Sequence, residues 1–582
     1  MNLNLNNALS DIWKILTPLD KRKLGVVSIL VVFMTIIESL GVVSIMPFLA
    51  VLANPESAQH NFLLKKIYIF LDVNNINQFI VYLGVISLFI VVFSAILKII
   101  TQHGLNRFSS LQRHYFSSRL LDIYLKQNYS FFIQRNSADL TKILLNDVDQ
   151  VVWGVLKPLL TILSYGLIVM AMIILLIFYD PLMALTIAGV IILFYTLMFL
   201  IVKKFMKKIS QEFLKANIER YQSCQEVFGG IKDVMINHAH DYYYKRFDQN
   251  SRIHARHLAS QESLAQIPLH IIETIGYGCL ILLAIFLVLQ NHSVGTILPV
   301  IGLYGVAAYR MLPAAQNIYR AITTYKFSEH ILNGVVDEFV LHSSEKGLNI
   351  NSESVQFNQF IELVNVSFAY PNQLEKQVLK NINLRIDKNT SLGIIGKSGS
   401  GKSTLMDIML GLLEPTSGVL KIDGKVINDA NVRSWQSLVS YVPQFIYLAD
   451  MTIAENIAFG ISKEKIDFQL VKDVAKLAQI DEFIIQDLKD DYNTVIGERG
   501  ILLSGGQRQR LGIARALYKQ PQVIFMDEAT SALDTETEKA VNEAIQSLNG
   551  KMTMVIIAHR ESAIMGCDSI ITCEKILKDS TK

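Results

Sequence analysis

The first 330 residues alternate between long unbroken apolar runs and long polar segments, whereas the remainder alternates on a much shorter scale. Spanning a hydrocarbon core takes roughly 20 apolar residues in a helix. Six runs approach or exceed that length: Leu24 to Leu52, Phe79 to Ile100, Val151 to Tyr179, Pro181 to Val202, Leu264 to Leu289 and Thr296 to Tyr325. A buried core helix explains one such run but not six, so the pattern predicts an all-α membrane domain of six spans.

The spacing between runs adds detail. Asp180-Pro181 joins the third and fourth, and Gln290 to Gly295 joins the fifth and sixth, as tight turns at one membrane face. Polar segments with helical spacing separate the second from the third run and the fourth from the fifth. At about 50 to 60 residues each, folded out and back, they are arms reaching roughly 35 Å beyond the bilayer. The arm side holds Lys14, Lys21, Arg22, Lys23, Arg107, Arg113, Lys203, Lys204, Lys207 and Lys208, against Lys65 and Lys66 opposite. This positive-inside bias puts the arms and both chain ends in the cytoplasm. Ser130 to Asp139 and Gln225 to Val234 are the expected arm tips, the latter bending at Gly229-Gly230. The segment Asn54 to Gln78 contains NFLLKKIYIFL, which reads equally as an amphipathic helix on the outer leaflet and as a connector packed on the spans. The first apolar run is too long for a cleavable leader.

Beyond the polar stretch SEKGLNINSESVQFNQF the pattern becomes that of a soluble α/β domain. The expected division is a membrane domain at 1–330, a linker at 331–358 and the α/β domain at 359–582. Net charge is +3, which excludes a global nucleic-acid footprint. Cys224, Cys279, Cys567 and Cys573 lack metal-ligand spacing and read as reduced, packed thiols.

Candidate chemistry concentrates in the α/β domain. The stretch GKSGSGKST lies between a strand-like run, SLGII, and a helix-like run, LMDIMLGLL. It fits G-x-x-x-x-G-K-[ST], with Gly396, Lys397, Ser398, Gly399, Ser400 and Gly401 as the loop and Lys402, Ser403 and Thr404 opening the helix. Such a loop wraps a phosphate with successive backbone N–H groups, backed by the positive end of the helix. Lys402 then neutralises the β/γ-phosphates and the Ser403 hydroxyl ligates magnesium. The run VIFMDE reads as a buried strand with Asp527 placed to hold magnesium and Glu528 placed to activate water. LSGGQ, with Ser504, Gly505, Gly506 and Gln507, opens a second helix whose N-terminus suits a phosphate. Gln444 and His559 each follow a strand-like run, and Tyr370 offers an aromatic face for a base.

These collinear motifs together resemble the nucleotide-binding domain of ATP-binding cassette (ABC) proteins. On that resemblance GKSGSGKST is the phosphate loop, LSGGQ the signature, VIFMDEATSALD the magnesium strand with the D-loop, Gln444 the Q-loop glutamine and magnesium ligand, His559 the switch histidine and Tyr370 the adenine-stacking residue. VIGERG resembles a loop found in exporters. Six spans followed by one such P-loop domain resemble a half-size ABC exporter over the whole chain. The resemblance implies ATP and Mg2+ as cofactors, and a homodimer in which the loop of one copy and the signature of the other enclose each ATP. It implies a location in the bacterial inner membrane, and no nucleic-acid partner. A soluble cassette ATPase is disfavoured by the spans. TIIESLGVVSIMPFL and YRMLPAAQNIYR resemble segments of bacterial lipid-linked oligosaccharide flippases, with exporters of lipids, hydrophobic drugs or peptides as alternatives. Fewer arginines line these spans than in such flippases, with Leu269, His270 and Asn317 in the apolar half. A pyrophosphate headgroup needs cations, and Arg310, Arg320 and Lys98 in or near the spans are the candidates, with Glu38 and Glu273 also in apolar runs.

Overall fold

The computed structural model describes residues 5–53, 75–179, 181–289, 294–343, 353–373, 375–397, 399–497, 500–528, 549–558 and 564–572, with 66, 68, 69, 538, 539 and 543. The chain forms two compact units. One comprises Met1–Leu125 and Ser137–Ser344, the other Lys126–Asn136 and Glu345–Lys582.

In the first unit the apolar runs and the polar arms are continuous rods. A short helix, Leu5–Ile15, precedes Pro18–Ala53. The helices Ile76–Leu125, His240–Leu289 and Val294–Ser343 have 50 residues each, and Pro181–Gly229 has 49. A 50-residue helix is about 75 Å long, well over twice the hydrocarbon thickness. Among the described residues, three helical stretches are long and apolar enough to cross a membrane: Pro18–Leu49, Ile76–Leu125 and Ser137–Phe178. Large apolar side chains such as Phe89 (71% exposed) and Phe178 (88%) point outward, which is costly in water and matched in lipid.

The stretch from Ser137 to Tyr179 is not uniform. Two π-helical turns, Ile143–Asp147 and Val152–Leu156, interrupt it. Gly154, inside the second, lies against the Val294–Ser343 helix so closely that an added Cβ would sit 2.1 Å from Ser328 Oγ. Polar ties join further helices: Tyr124 Oη donates to Glu338 Oε2 at 3.0 Å, and Ser210 Oγ donates to the Phe327 carbonyl at 2.6 Å.

The helix break expected at Gly229-Gly230 is present, with Pro181–Gly229 ending there and Ile231–Ile236 following. The linker expected from residue 331 needs correction: Val294–Ser343 stays helical for another three turns. Ile331, Leu332, Val335, Val336 and Phe339 are buried at helical spacing, and this stripe carries the helix onward. Most of the Asn54 to Gln78 segment, Asp180 and residues 290–293 lie outside the described residues.

The second unit is built on two sheets. Strands β1 (Phe360–Ala369), β2 (Gln377–Asp387), β4 (Ser417–Ile422) and β5 (Lys425–Val426) form an antiparallel sheet in the order β2-β1-β4-β5. The parallel sheet runs β6-β7-β8-β3-β9, from β3 (Ser391–Ile395), β6 (Val439–Val442), β7 (Val523–Asp527), β8 (Thr553–Ile557) and β9 (Ser569–Thr572). Strands β7 and β8 are buried throughout, as unbroken apolar runs in a parallel sheet must be. The core between the sheets gathers Ile394, Leu405, Phe525 and Trp435, whose indole Nε1 donates to the Met409 carbonyl at 2.8 Å. The arm tip Lys126–Asn136, with the short helix Tyr129–Ile133, belongs to this unit. Ser130 and Ile133 form one wall of a cavity of about 550 Å³, opposite Phe368, Tyr370, Gly411 and Leu412. The other tip, Gln225 to Val234, groups with the membrane unit.

Candidate functional site: a phosphate loop, a strained glutamate and membrane cations

Strand β3 delivers the chain to the loop at 396–401, and the helix Lys402–Met409 leaves it. Gly401 caps that helix in the left-handed region at φ 89°, and an added Cβ would meet Leu379 Cδ2 at 2.9 Å. Only glycine satisfies both the torsion and the space. Lys402 is buried, and its Nζ donates to the carbonyls of Gly396 (2.7 Å) and Lys397 (3.1 Å), so the loop folds around its own cation. Ser400 N–H closes the turn on the Lys397 carbonyl at 3.2 Å. Ser398 lies outside the described residues.

Pairing of β7 with β6 and β8 brings three further groups to this loop. Ser403 Oγ donates to Asp527 Oδ2 at 3.2 Å. A hydroxyl and a carboxylate side by side at the loop are an oxygen-donor set that suits a hard divalent cation. Glu528 follows with φ 49°, a left-handed torsion that a non-glycine residue adopts at a cost. Its N–H donates to the Ile557 carbonyl at 2.9 Å, and Gln444 Nε2 donates to its carboxylate at 2.6 Å. The parallel sheet thus sets Gln444 at the end of β6 beside Glu528 at the end of β7.

Two sequence candidates take unexpected partners. Tyr370 is hydrogen-bonded to Thr404 Oγ1 at 3.1 Å, and its ring stands edge-on to Phe368 at 5.0 Å. Thr404, counted with the phosphate binders, is buried beneath the loop and serves that contact. A third group escaped the sequence reading. Asp407 sits one turn along from Ser403, and burial followed by the charge of Asp527 pushes its carboxyl up to about 6. An acid at that position had no motif to mark it.

Ser504 caps the helix Gly505–Tyr518 in a capping box: Gln507 N–H donates to Ser504 Oγ (3.2 Å) and Ser504 N–H donates to Gln507 Oε1 (2.7 Å). Gly505 and Gly506 form its first turn. Among the described residues no hydrogen bond joins this turn to the phosphate loop. His559, the D-loop at 529–537 and Glu498-Arg499 lie outside the described residues.

In the membrane unit the candidate cations are paired. Glu38, 2% exposed, receives Lys98 Nζ at 3.1 Å and Arg310 at 2.9 Å on the same oxygen, Oε1. Its Oε2 is buried with no hydrogen-bond partner. The cations are less enclosed, at 41% for Lys98 and 25% for Arg310. Arg320 pairs with Glu262. Sequence placed Glu38 in an apolar run; the crossing of three helices made it the hub of two ion pairs.

Residues 379–531 match the family described as ABC transporter, and 21–306 match the ABC transporter transmembrane region. The chain is 28% identical over 463 residues to the ATP-dependent lipid A-core flippase of Shigella sonnei, covering 78% of this chain and 77% of that protein. It is 43% identical over 215 residues to ABC transporter B family member 22 of Arabidopsis thaliana, a match spanning 37% of this chain and 17% of that one. A bacterial Atm1-family ABC exporter solved with ATP bound shares the fold, with a TM-score of 0.72 at 22% identity, covering 95% of this chain and 93% of that one. A membrane-spanning helical unit joined to one ATP-binding cassette defines an ATP-driven transporter. The chain belongs to the ABC transporters, as a half-size exporter that couples ATP hydrolysis to transport.

Proposed function

We propose that two copies of this chain form a transporter that flips a lipid-linked oligosaccharide, a polyprenyl-pyrophosphate sugar, across the bacterial inner membrane. The observation that carries the reading is the Lys98–Glu38–Arg310 cluster within the spans. Its net charge is +1, from two cations and one carboxylate. Holding uncompensated charge at membrane depth is costly, and an anionic headgroup offsets that cost. A site for neutral apolar drugs has no use for it. The relatives named as lipid A-core flippases support a lipid-like cargo.

The cassette residues divide the work of hydrolysis. The loop N–H groups and Lys402 hold the β/γ-phosphates, while Tyr370 supplies a ring for the base. Ser403 and Asp527, with Gln444, are the groups that would hold Mg2+, which when bound offsets phosphate charge. Glu528 accepts a proton from the attacking water, held in position by Gln444 and by its own constrained backbone. The signature turn at Ser504 to Gln507, which among the described residues makes no hydrogen bond to its own chain's loop, faces the loop of the second copy. Closure of that sandwich on ATP is stronger than on ADP, and this difference biases the membrane unit between two access states. Both termini and the cassette face the cytoplasm on the positive-inside bias.

The test is ATPase stimulation and headgroup translocation in liposomes. Polyprenyl-pyrophosphate sugars are compared with phospholipids and hydrophobic drugs, with Glu528→Gln as the inactive control. Stimulation by the sugar lipid supports the proposal. Stimulation and efflux with the drugs alone overturns it.

A further inference from the structure

A second cavity, of about 420 Å³, lies wholly within the membrane unit. Its walls come from the Ile76–Leu125 helix, from the π turn Val152–Leu156 with the helix that follows it, and from Val294–Ser343. The volume is within the range of small-ligand sites, but the lining is not the usual apolar one. Three amides, Gln102, Asn106 and Asn317, converge with Trp153, Lys157 and Arg320. Amides both donate and accept, which matches a ligand bearing many hydroxyls. No acidic side chain lines the cavity among the described residues, and two cations do, Lys157 and Arg320, the latter paired with Glu262 beyond the lining.

Its depth is informative. Gln102 and Asn106 follow the apolar run that ends at Ile100, so the cavity sits where hydrocarbon gives way to headgroups. Gln102 is one helical turn from Lys98, and Asn317 is two turns from Arg310, each pair on one helix face. The cavity therefore continues the cation cluster toward the cytoplasmic surface. The π turn is a local device with the same focus: the extra residue per turn redirects Trp153 and seats Gly154 against Ser328. Lys157 Nζ stands 4.6 Å from the Trp153 ring centre, while that ring stays 40% exposed.

We infer that this cavity is the saccharide subsite of the transporter, taking the sugars of a phosphate-linked glycolipid while the phosphate lies toward Lys98 and Arg310. The inference rests on the lipid-linked reading above and extends it to the recognition of the sugar itself. A polyprenyl-pyrophosphate sugar and a core-glycosylated lipid A share this headgroup chemistry, and the experiment separates them.

The chain has three tryptophans. Trp435 is fully buried, so in a Trp13→Phe variant Trp153 is the residue open to a collisional quencher. Full-length Trp13→Phe protein in lipid nanodiscs is quenched with acrylamide in the presence of four probes. These are polyprenyl pyrophosphate with and without a disaccharide, and lipid A with and without core sugars. A pocket covers most of its ligand and is covered in turn, so quenching of Trp153 is expected to fall by about half with a sugar-bearing probe and little with its sugar-free partner. Equal quenching within both pairs overturns the inference. Protection by the core-bearing lipid A alone keeps the subsite and overturns the polyprenyl cargo.

As a second arm, Asn106→Leu with Asn317→Leu is expected to raise the half-maximal concentration of the sugar-bearing lipid in stimulated ATPase about ten-fold, leaving that of the bare lipid in place. An equal change for both lipids overturns the subsite. The quenching arm leaves the cavity intact, so it decides the question if the double variant does not fold.

Discussion

Gln444 donates its amide to the carboxylate of Glu528 across 2.6 Å, joining the ends of β6 and β7 at the mouth of the phosphate loop. Glu528 is held at φ 49° while its N–H is bonded to the Ile557 carbonyl of β8. Three strands thus fix one acid. A side chain aimed this way suits the proposed role of general base, with little freedom to lose on catalysis.

Glu528→Gln keeps the size of the side chain and removes the proton acceptor. ATP turnover is expected to fall by about 10²- to 10⁴-fold with nucleotide binding retained. Phosphate release and equilibrium binding of labelled ATP, measured on one preparation, check this; turnover within a factor of two of the parent would remove Glu528 from the role.

Gly401→Ala puts a methyl group into Leu379 and forces a side chain into a left-handed torsion. A cost of about 1–3 kcal/mol is expected, together with loss of ATP affinity, because the loop is displaced. Thermal unfolding and ATP titration of the full-length protein read both effects. Gly399→Ala shares the positive torsion but has open space around it, so its penalty should be the smaller of the two.

Asp407 carries a pH dependence whose sign follows from its raised pKa. The unfolded carboxyl titrates near 3.8 and the folded one near 6. Well below 3.8 both states are protonated and no penalty exists. As pH rises from about 4 to about 6 the unfolded chain releases its proton first, so stability declines, and above 6 the loss is complete. Asp407→Asn should flatten that decline and raise the unfolding midpoint at pH 7.5, by an amount worth at most about 2–3 kcal/mol. An unchanged melting profile from pH 4 to 7.5 would show that Asp407 is solvated.

Glu38→Gln leaves Lys98 and Arg310 facing each other without their shared carboxylate. Removing one member of such a buried group typically costs about 3–5 kcal/mol, and the partial exposure of both cations puts the expectation at the lower end. Combining it with Lys98→Met and Arg310→Met should recover much of the lost thermal stability while abolishing stimulation by anionic lipids. Recovery of both would mean that the cluster serves packing alone.

Much of this could be read along the chain because it depends on local pattern. Glycines at 399 and 401 announce the tight turn between β3 and the helix after it, since both take a positive φ that side chains resist. VIFMDE announces a buried strand with acids at its end. The bend at Gly229-Gly230 was legible for the same reason. The misjudged linker shows where local pattern fails: composition turns polar after Tyr325, but burial against other helices sustains the rod to Ser343.

The sequence by itself determined the long apolar runs, the helix break at Gly229-Gly230 and the buried strand that ends in Asp527, because each depends on spacing within one segment. Only the tertiary structure decided which charges meet. Glu38, Lys98 and Arg310 come from three helices, Ser403 and Asp527 are 124 residues apart, and Gln444 and Glu528 are 84 apart. Coulomb and hydrogen-bond energies fall off over a few ångströms of space, with no regard to distance along the chain, so pairing of this kind is written in packing alone.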